Sequence, residues 1–99
     1  VMEDIAGKLI GRLSFLLETK PEKQLGPDGR ERLEFNASKW VEDSCFKNSL
    51  NGFFSENGIK IVHQGSSIIM AEQEGGPSWF FLTVKHKEDG VKSISVTIH

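Results

Sequence analysis

The chain lacks a second cysteine. With Cys45 alone it can close no internal disulfide, which excludes a stapled secreted fold and favours a reducing compartment, cytoplasm or nucleus. A long apolar run is missing too. The strongest windows, residues 5–17 and 79–84, are too short or too interrupted by charge for the roughly 20 residues a bilayer span needs. No marked charge excess exists either: the net charge is −2 and the pI about 5.9. That balance argues against a nucleic-acid binder, whose affinity comes largely from phosphate contacts. Nothing after Met2 resembles a leader with a basic then apolar stretch and a small-residue cleavage site.

The motifs of common chemistries are also missing. No His-x-x-x-His, Cys-x-x-Cys or clustered Asp-x-Asp spacing occurs, so no metal site or cofactor is expected. No phosphate-cradling glycine loop or Gly-x-Ser-x-Gly elbow is present, and no catalytic residue is assigned. Cys45 could be a nucleophile, yet no recognisable neighbour would lower its pKa, and a buried small hydrophobe is the plainer reading. Asn36-Ala37-Ser38 fits the glycosylation sequon, a triplet common by chance.

What is present is an ordinary globular mixture, 37% hydrophobic and 26% charged over 99 residues, enough for one core and one domain. Val1 ahead of Met2, and a β-like run reaching His99 without a polar tail, suggest a segment cut from a longer protein. Met2, Ile5, Leu9, Leu13 and Leu16 recur at spacings of three and four, which predicts an amphipathic helix ending before Pro21. Gly7 and Gly11 inside it each cost about 1 kcal/mol. Close packing on a sheet, or on a second copy of the helix, would repay that cost. Residues 21–32, charged and broken by two prolines and two glycines, read as a mobile loop.

Leu33 and Phe35 alternate with polar residues and predict a short strand. Asn36 or Ser38 could then cap a second helix over 39–50, with Ala37, Trp40, Val41, Cys45 and Phe46 on its inner side and Asn51-Gly52 at its end. Four β-like runs follow, 59–64, 67–73, 78–87 and 92–99. Turn signals at Asn57-Gly58, Gly65-Ser66, Gly75-Gly76-Pro77 and Asp89-Gly90 separate them, and connections so short allow only antiparallel neighbours. The expected fold is α+β: an N-terminal amphipathic helix and a second short helix on a four- to five-stranded antiparallel meander sheet.

Strand alternation assigns the faces. Phe80, Leu82 and Val84 should meet Ile94, Val96 and Ile98 on the buried side. Trp79, Phe81, Thr83, Lys85 and Lys87 point the other way, with Ser93, Ser95, Thr97 and His99. His63 is assigned to the face of Ile59 and Ile61, and His86 to that of Phe80. Lys85, His86, Lys87 and Lys92 make a basic hairpin tip, in which Glu88 and Asp89 would partly cancel the charge.

Trp79, Phe81, Thr83, Lys85, Ser95 and Thr97 are therefore the candidate partner-binding residues, unless a helix or the long loop covers them. The last strand, short of proline and charge, reads as an exposed edge to which a partner strand could add. The expected function is a non-enzymatic protein-protein interaction module of an intracellular scaffold or regulatory assembly. Two rivals stand beside it. One is a small-ligand or enzymatic cup with His63, Glu72 or His86 at its mouth; the other is a homodimer through the first helix or the edge strand.

Overall fold

The computed structural model describes residues 5–73 and 79–98. Met2 at the head of the first apolar stripe, the Gly75-Gly76-Pro77 turn, Ser78 and His99 lie outside the described residues. The elements run α1 (Ile5–Leu17), β1 (Glu22–Leu25), β2 (Glu31–Asn36), α2 (Asp43–Glu56), β3 (Ile59–Gln64), β4 (Ile68–Gln73), β5 (Trp79–Lys87) and β6 (Gly90–Ile98). The class is α+β, with two helices on one antiparallel sheet of order β1-β2-β6-β5-β4-β3 among the described residues.

In α1, Ile5, Leu9, Leu13 and Leu17 fall four apart and are buried, as the 3.6-residue period requires. Its C-terminal carbonyls are satisfied from a distance. Ser38 donates its backbone N–H and its hydroxyl to the Leu17 carbonyl, at 3.0 and 3.2 Å, and its hydroxyl also reaches the Glu18 carbonyl. Glu18 takes the left-handed conformation (φ 49°) that ends many helices. Ser38 thus caps the end of α1 rather than the start of α2.

Helix α2 lies later in the chain than its propensities predict. Residues 37–42 are held out of the helix by pairing at either end of a bend: Ala37 N–H donates to Lys92 O at 3.0 Å, Val91 N–H to Val41 O at 2.8 Å, and Glu42 bridges Gly90. The helix then passes through Asn51-Gly52, because Phe46, Leu50, Phe53 and Phe54 continue one buried stripe beyond it. It ends at Asn57, and Gly58 follows at φ 67°. Trp40 and Cys45, expected inside, are exposed.

The four-stranded meander β3-β4-β5-β6 forms as the turn spacing implies, and two more strands extend it. Residues 21–32, expected as a loop, contain β1 and the start of β2, joined into a hairpin that pairs Lys23 with Leu33 and Leu25 with Glu31. That hairpin attaches to β6, with Leu33 opposite Val96 and Phe35 opposite Ile94. The last strand is therefore interior, hydrogen-bonded to β2 on one side and β5 on the other. It is no edge for a partner strand.

Phe80, Leu82 and Val84 stand opposite Ile98, Val96 and Ile94 on the face that both helices cover. Buried residues of α1 and α2 join them, together with Phe35, Ile59, Ile69, Ala71 and Val91, in one cluster. Phe54 centres it, its ring 5.8 Å from Phe53 and 6.4 Å from Phe80. Gly7 and Gly11 point away from this core. A Cβ on Gly11 in α1, or on Gly52 in α2, would meet nothing within 4 Å, so close packing within the chain explains neither. Gly11→Ala and Gly52→Ala should each raise stability by about 1 kcal/mol in urea denaturation, the usual helical preference for alanine. A loss at Gly11 instead would show that another molecule occupies that side of α1.

Candidate functional site

With both helices on one side, the other face of the sheet has no helical cover among the described residues. Register places its side chains in rows about 4.8 Å apart from strand to strand. Phe81 lies between Thr97 on β6 and Met70 on β4, and Thr83 between Ser95 and Ile68. Lys85 pairs with Ser93, and Trp79 pairs with Glu72. The six residues chosen from the sequence thus form one contiguous patch. Trp79 retains 39% of its surface and so does Ile68. Phe81, Thr83, Ser95 and Thr97 are half-buried, and Lys85 is exposed. Among the described residues no helix covers Trp79 and Phe81.

The turn between β1 and β2 borders this patch. Pro27, Asp28, Arg30 and Arg32 line, with Phe81 and Thr97, a groove of about 470 Å³. The turn is fixed locally: Gly26 N–H donates to Arg30 O at 2.8 Å, and Asp28 Oδ1 accepts from Arg30 N–H at 3.0 Å. Gly29, at φ 80°, supplies the left-handed residue the turn needs. Met70, Ile68 and Arg32 belong to the site but were missed in the sequence. Their faces follow only from register, which local alternation within one run does not supply.

Histidine placement differs from expectation at one of the two strand positions. A β-bulge between Ile61 and His63 inserts Val62 and turns His63 to the open face, opposite Met70. Glu72 is on that face as well. His86 stays on the helical side, where its Nε2 lies 2.7 Å from Asp43 Oδ1 at the start of α2. Lys47, one turn on, places its Nζ 3.0 Å from Asp43 Oδ2 and donates to Ser66 O at 3.1 Å. Glu42, Asp43, Ser44, Ser66, His86, Glu88 and Asp89 border a surface groove of about 610 Å³. This groove is outside the helix–sheet core, which is filled by side chains. Among the described residues no group of three His, Cys, Asp or Glu side chains could hold a metal ion.

The hairpin tip separates its charges. Glu88 and Asp89 line the groove beside α2, whereas Lys87 and Lys92 line a cleft of about 270 Å³ with Ala37, Ser38, Lys39, Trp40, Gly90 and Val91. The acidic and basic residues of the tip thus border different grooves. The left-handed residue of the tip is Glu88 (φ 58°) rather than Gly90. Gly90 serves a different need: a Cβ there would lie 2.3 Å from Trp40 Nε1 and 2.8 Å from Cδ1. Trp40 rests on bare backbone.

Two outcomes follow from this geometry. Gly90→Ala should displace the Trp40 side chain, changing the intrinsic fluorescence and lowering stability by about 1–2 kcal/mol through overpacking; an unchanged spectrum would contradict the contact. The second concerns Asp43. Burial pushes its carboxyl up, but hydrogen bonds from His86 and Lys47 and their positive charge outweigh burial and leave it below its ordinary value of 3.8. A depressed folded value means that the stabilisation is complete above the unfolded pKa and is lost as pH falls through the folded one. The stability gap between wild type and Asp43→Asn, about 1 kcal/mol for a partly exposed charged pair, should therefore be present above the usual carboxylate range and close in acid below it. A gap that persists there would assign the effect to shape rather than charge.

Comparison with protein-family models, curated proteins and solved structures finds no match for this chain.

Proposed function

We propose that this domain is a non-enzymatic protein-protein interaction module, acting within an intracellular scaffold or regulatory assembly, that receives its partner on the open sheet face. One observation carries the reading: among the described residues no helix lies over the face that bears Trp79, Phe81, Met70 and Ile68. Exposed Trp79 beside half-buried Phe81 supplies the aromatic surface in which interfaces are enriched, where a few large side chains carry most of the affinity. Trp79 and Phe81 are the anchors in this reading. Thr83, Ser95 and Thr97 offer hydrogen bonds between them, and Lys85 with Arg32 supplies charge at the margins. The exposed thiol of Cys45 suits a reducing compartment. Among the described residues no helix is long and apolar enough to cross a membrane.

The terminal-strand route is excluded by the interior position of β6. The strands that do lie at the sheet edges are poor templates: β1 is four residues of mixed charge, and β3 carries a bulge and Lys60. A homodimer would have α1 as its surface, where Phe15 is 77% exposed beside Gly11 and Arg12. The ligand-pocket rival keeps only the groove at His86, since His63 and Glu72 face elsewhere.

The test is capture with matched variants from extract of the source cells. A protein retained by wild type should be lost on Trp79→Ser with Phe81→Ser and kept by Phe15→Ser, all three remaining folded by circular dichroism. Equal retention by the first variant would remove the open face as the docking surface.

A further inference from the structure

We infer that the cleft at the β5–β6 tip, floored by Trp40 and rimmed by Lys39, Lys87 and Lys92, is an anchor site for an acidic segment of a protein partner. The inference rests on the reading of the open face as a docking surface and extends that surface to a second end. Lys87 and Gly90 are register partners, so the Lys87 side chain points as Lys85 does one pleat earlier, the direction a Cβ on Gly90 would share. Trp40, lying on Gly90, is therefore on the open-face side of the tip. From Trp79 to Lys87 the stripe along β5 spans about 26 Å at roughly 3.3 Å per residue. That length suits an extended peptide of about eight residues.

Trp40 is 63% exposed, an unusual surface for so large an apolar ring, and it lies against the backbone of Gly90. The main chain is pinned on both sides of it by Ala37 N–H to Lys92 O and Val91 N–H to Val41 O. A partner would meet an anchor already in place, which reduces the ordering cost of binding. Lys87 and Lys92 have no side-chain ion pair or hydrogen bond among the described residues. Lys39 lies 3.4 Å from Glu18 in an exposed pair, weak enough to be exchanged for a new carboxylate.

Charge selects the occupant. Three ammonium groups beside a tryptophan complement carboxylates set next to an apolar residue. A continuous phosphate chain is disfavoured, because Glu34 stands opposite Ser95 in the middle of the open face and Asp28 borders the far groove. An anionic membrane is disfavoured by Glu88 and Asp89, which occupy the turn at the tip, and by the way Trp40 lies against Gly90 instead of projecting beyond it.

Random peptides displayed on phage and selected on the wild-type chain test the assignment. Enriched peptides are then synthesised with a fluorescent label and titrated by anisotropy. They should carry Asp or Glu beside an aromatic or aliphatic residue, bind more weakly as salt rises, and lose at least tenfold in affinity to Lys87→Glu with Lys92→Glu. Trp40→Ser should lose as much, and the lysine pair keeps the test valid if that variant unfolds. Enrichment of peptides without acidic residues, or of none, overturns the inference. So does saturable binding of twelve-residue oligo(dT) or of phosphatidylserine vesicles in place of peptides. Should the lysine pair and Trp40→Ser bind as wild type while Trp79→Ser with Phe81→Ser does not, the cleft falls and the open face stands. The reverse pattern keeps the cleft and removes the open face.

Discussion

The packing of Phe46, Leu50 and Phe54 of α2, together with the leucines of α1, against Phe80, Leu82 and Val84 decides most of this molecule. Both helices present one apolar stripe each, and both stripes meet the same face of the sheet. Burying a large apolar side chain stabilises by about 1.5–3 kcal/mol, so once the helices have joined this cluster no comparable apolar surface remains to draw them to the other face. The exposed face is thus a consequence of the core. Its chemistry matches the division: Phe80, Leu82 and Val84 of β5 are buried, with half-buried His86 after them, while the odd positions run from aromatic through hydroxyl to ammonium.

Long-range pairing has the same status for the tip. Residues 37–42 do not enter α2, although a helix starting near residue 39 would satisfy local propensity. The hydrogen bonds of Ala37 N–H to Lys92 O and of Val91 N–H to Val41 O replace helical ones, and they carry Trp40 onto the sheet. The latch continues on the opposite side through Asp43 N–H to Asp89 O at 2.9 Å and through His86 to the Asp43 carboxylate. The tip is held from two sides, one acidic and one basic.

The sequence made legible what depends on local period and turn chemistry. The α1 stripe, the four meander strands and the two faces of the last hairpin follow from spacings of 3.6 and 2 and from glycine-bearing turns, and each is present. Edges, register and cover are set by non-local partners, and there the reading was wrong or silent. The strand of Glu22–Leu25 has four exposed residues and no alternation of burial, so nothing in it announces a strand; β2 supplies the template. With β1 and β2 undetected as a hairpin, β6 could only look like an edge. The bulge at Val62 shifts His63 by one face, a change that alternation counts cannot anticipate. Of the candidate site, the aromatic and hydroxyl residues were found because they lie on one hairpin. Ile68, Met70, Arg32 and Trp40 come from other elements.

Net charge was the least informative of the early quantities, and the tip shows why. A total of −2 describes the field many ångströms away, where contributions have merged, but screening in physiological salt confines charge effects to about 8 Å. Within that range the relevant question is which side of a strand each group faces. Lys87 and Glu88 are neighbours in the chain yet border different grooves, because Glu88 takes the left-handed conformation at the turn while Lys87 keeps the strand direction of Lys85. A chain that is weakly acidic as a whole can therefore present a basic, tryptophan-bearing cleft on one side of a hairpin and an acidic groove on the other.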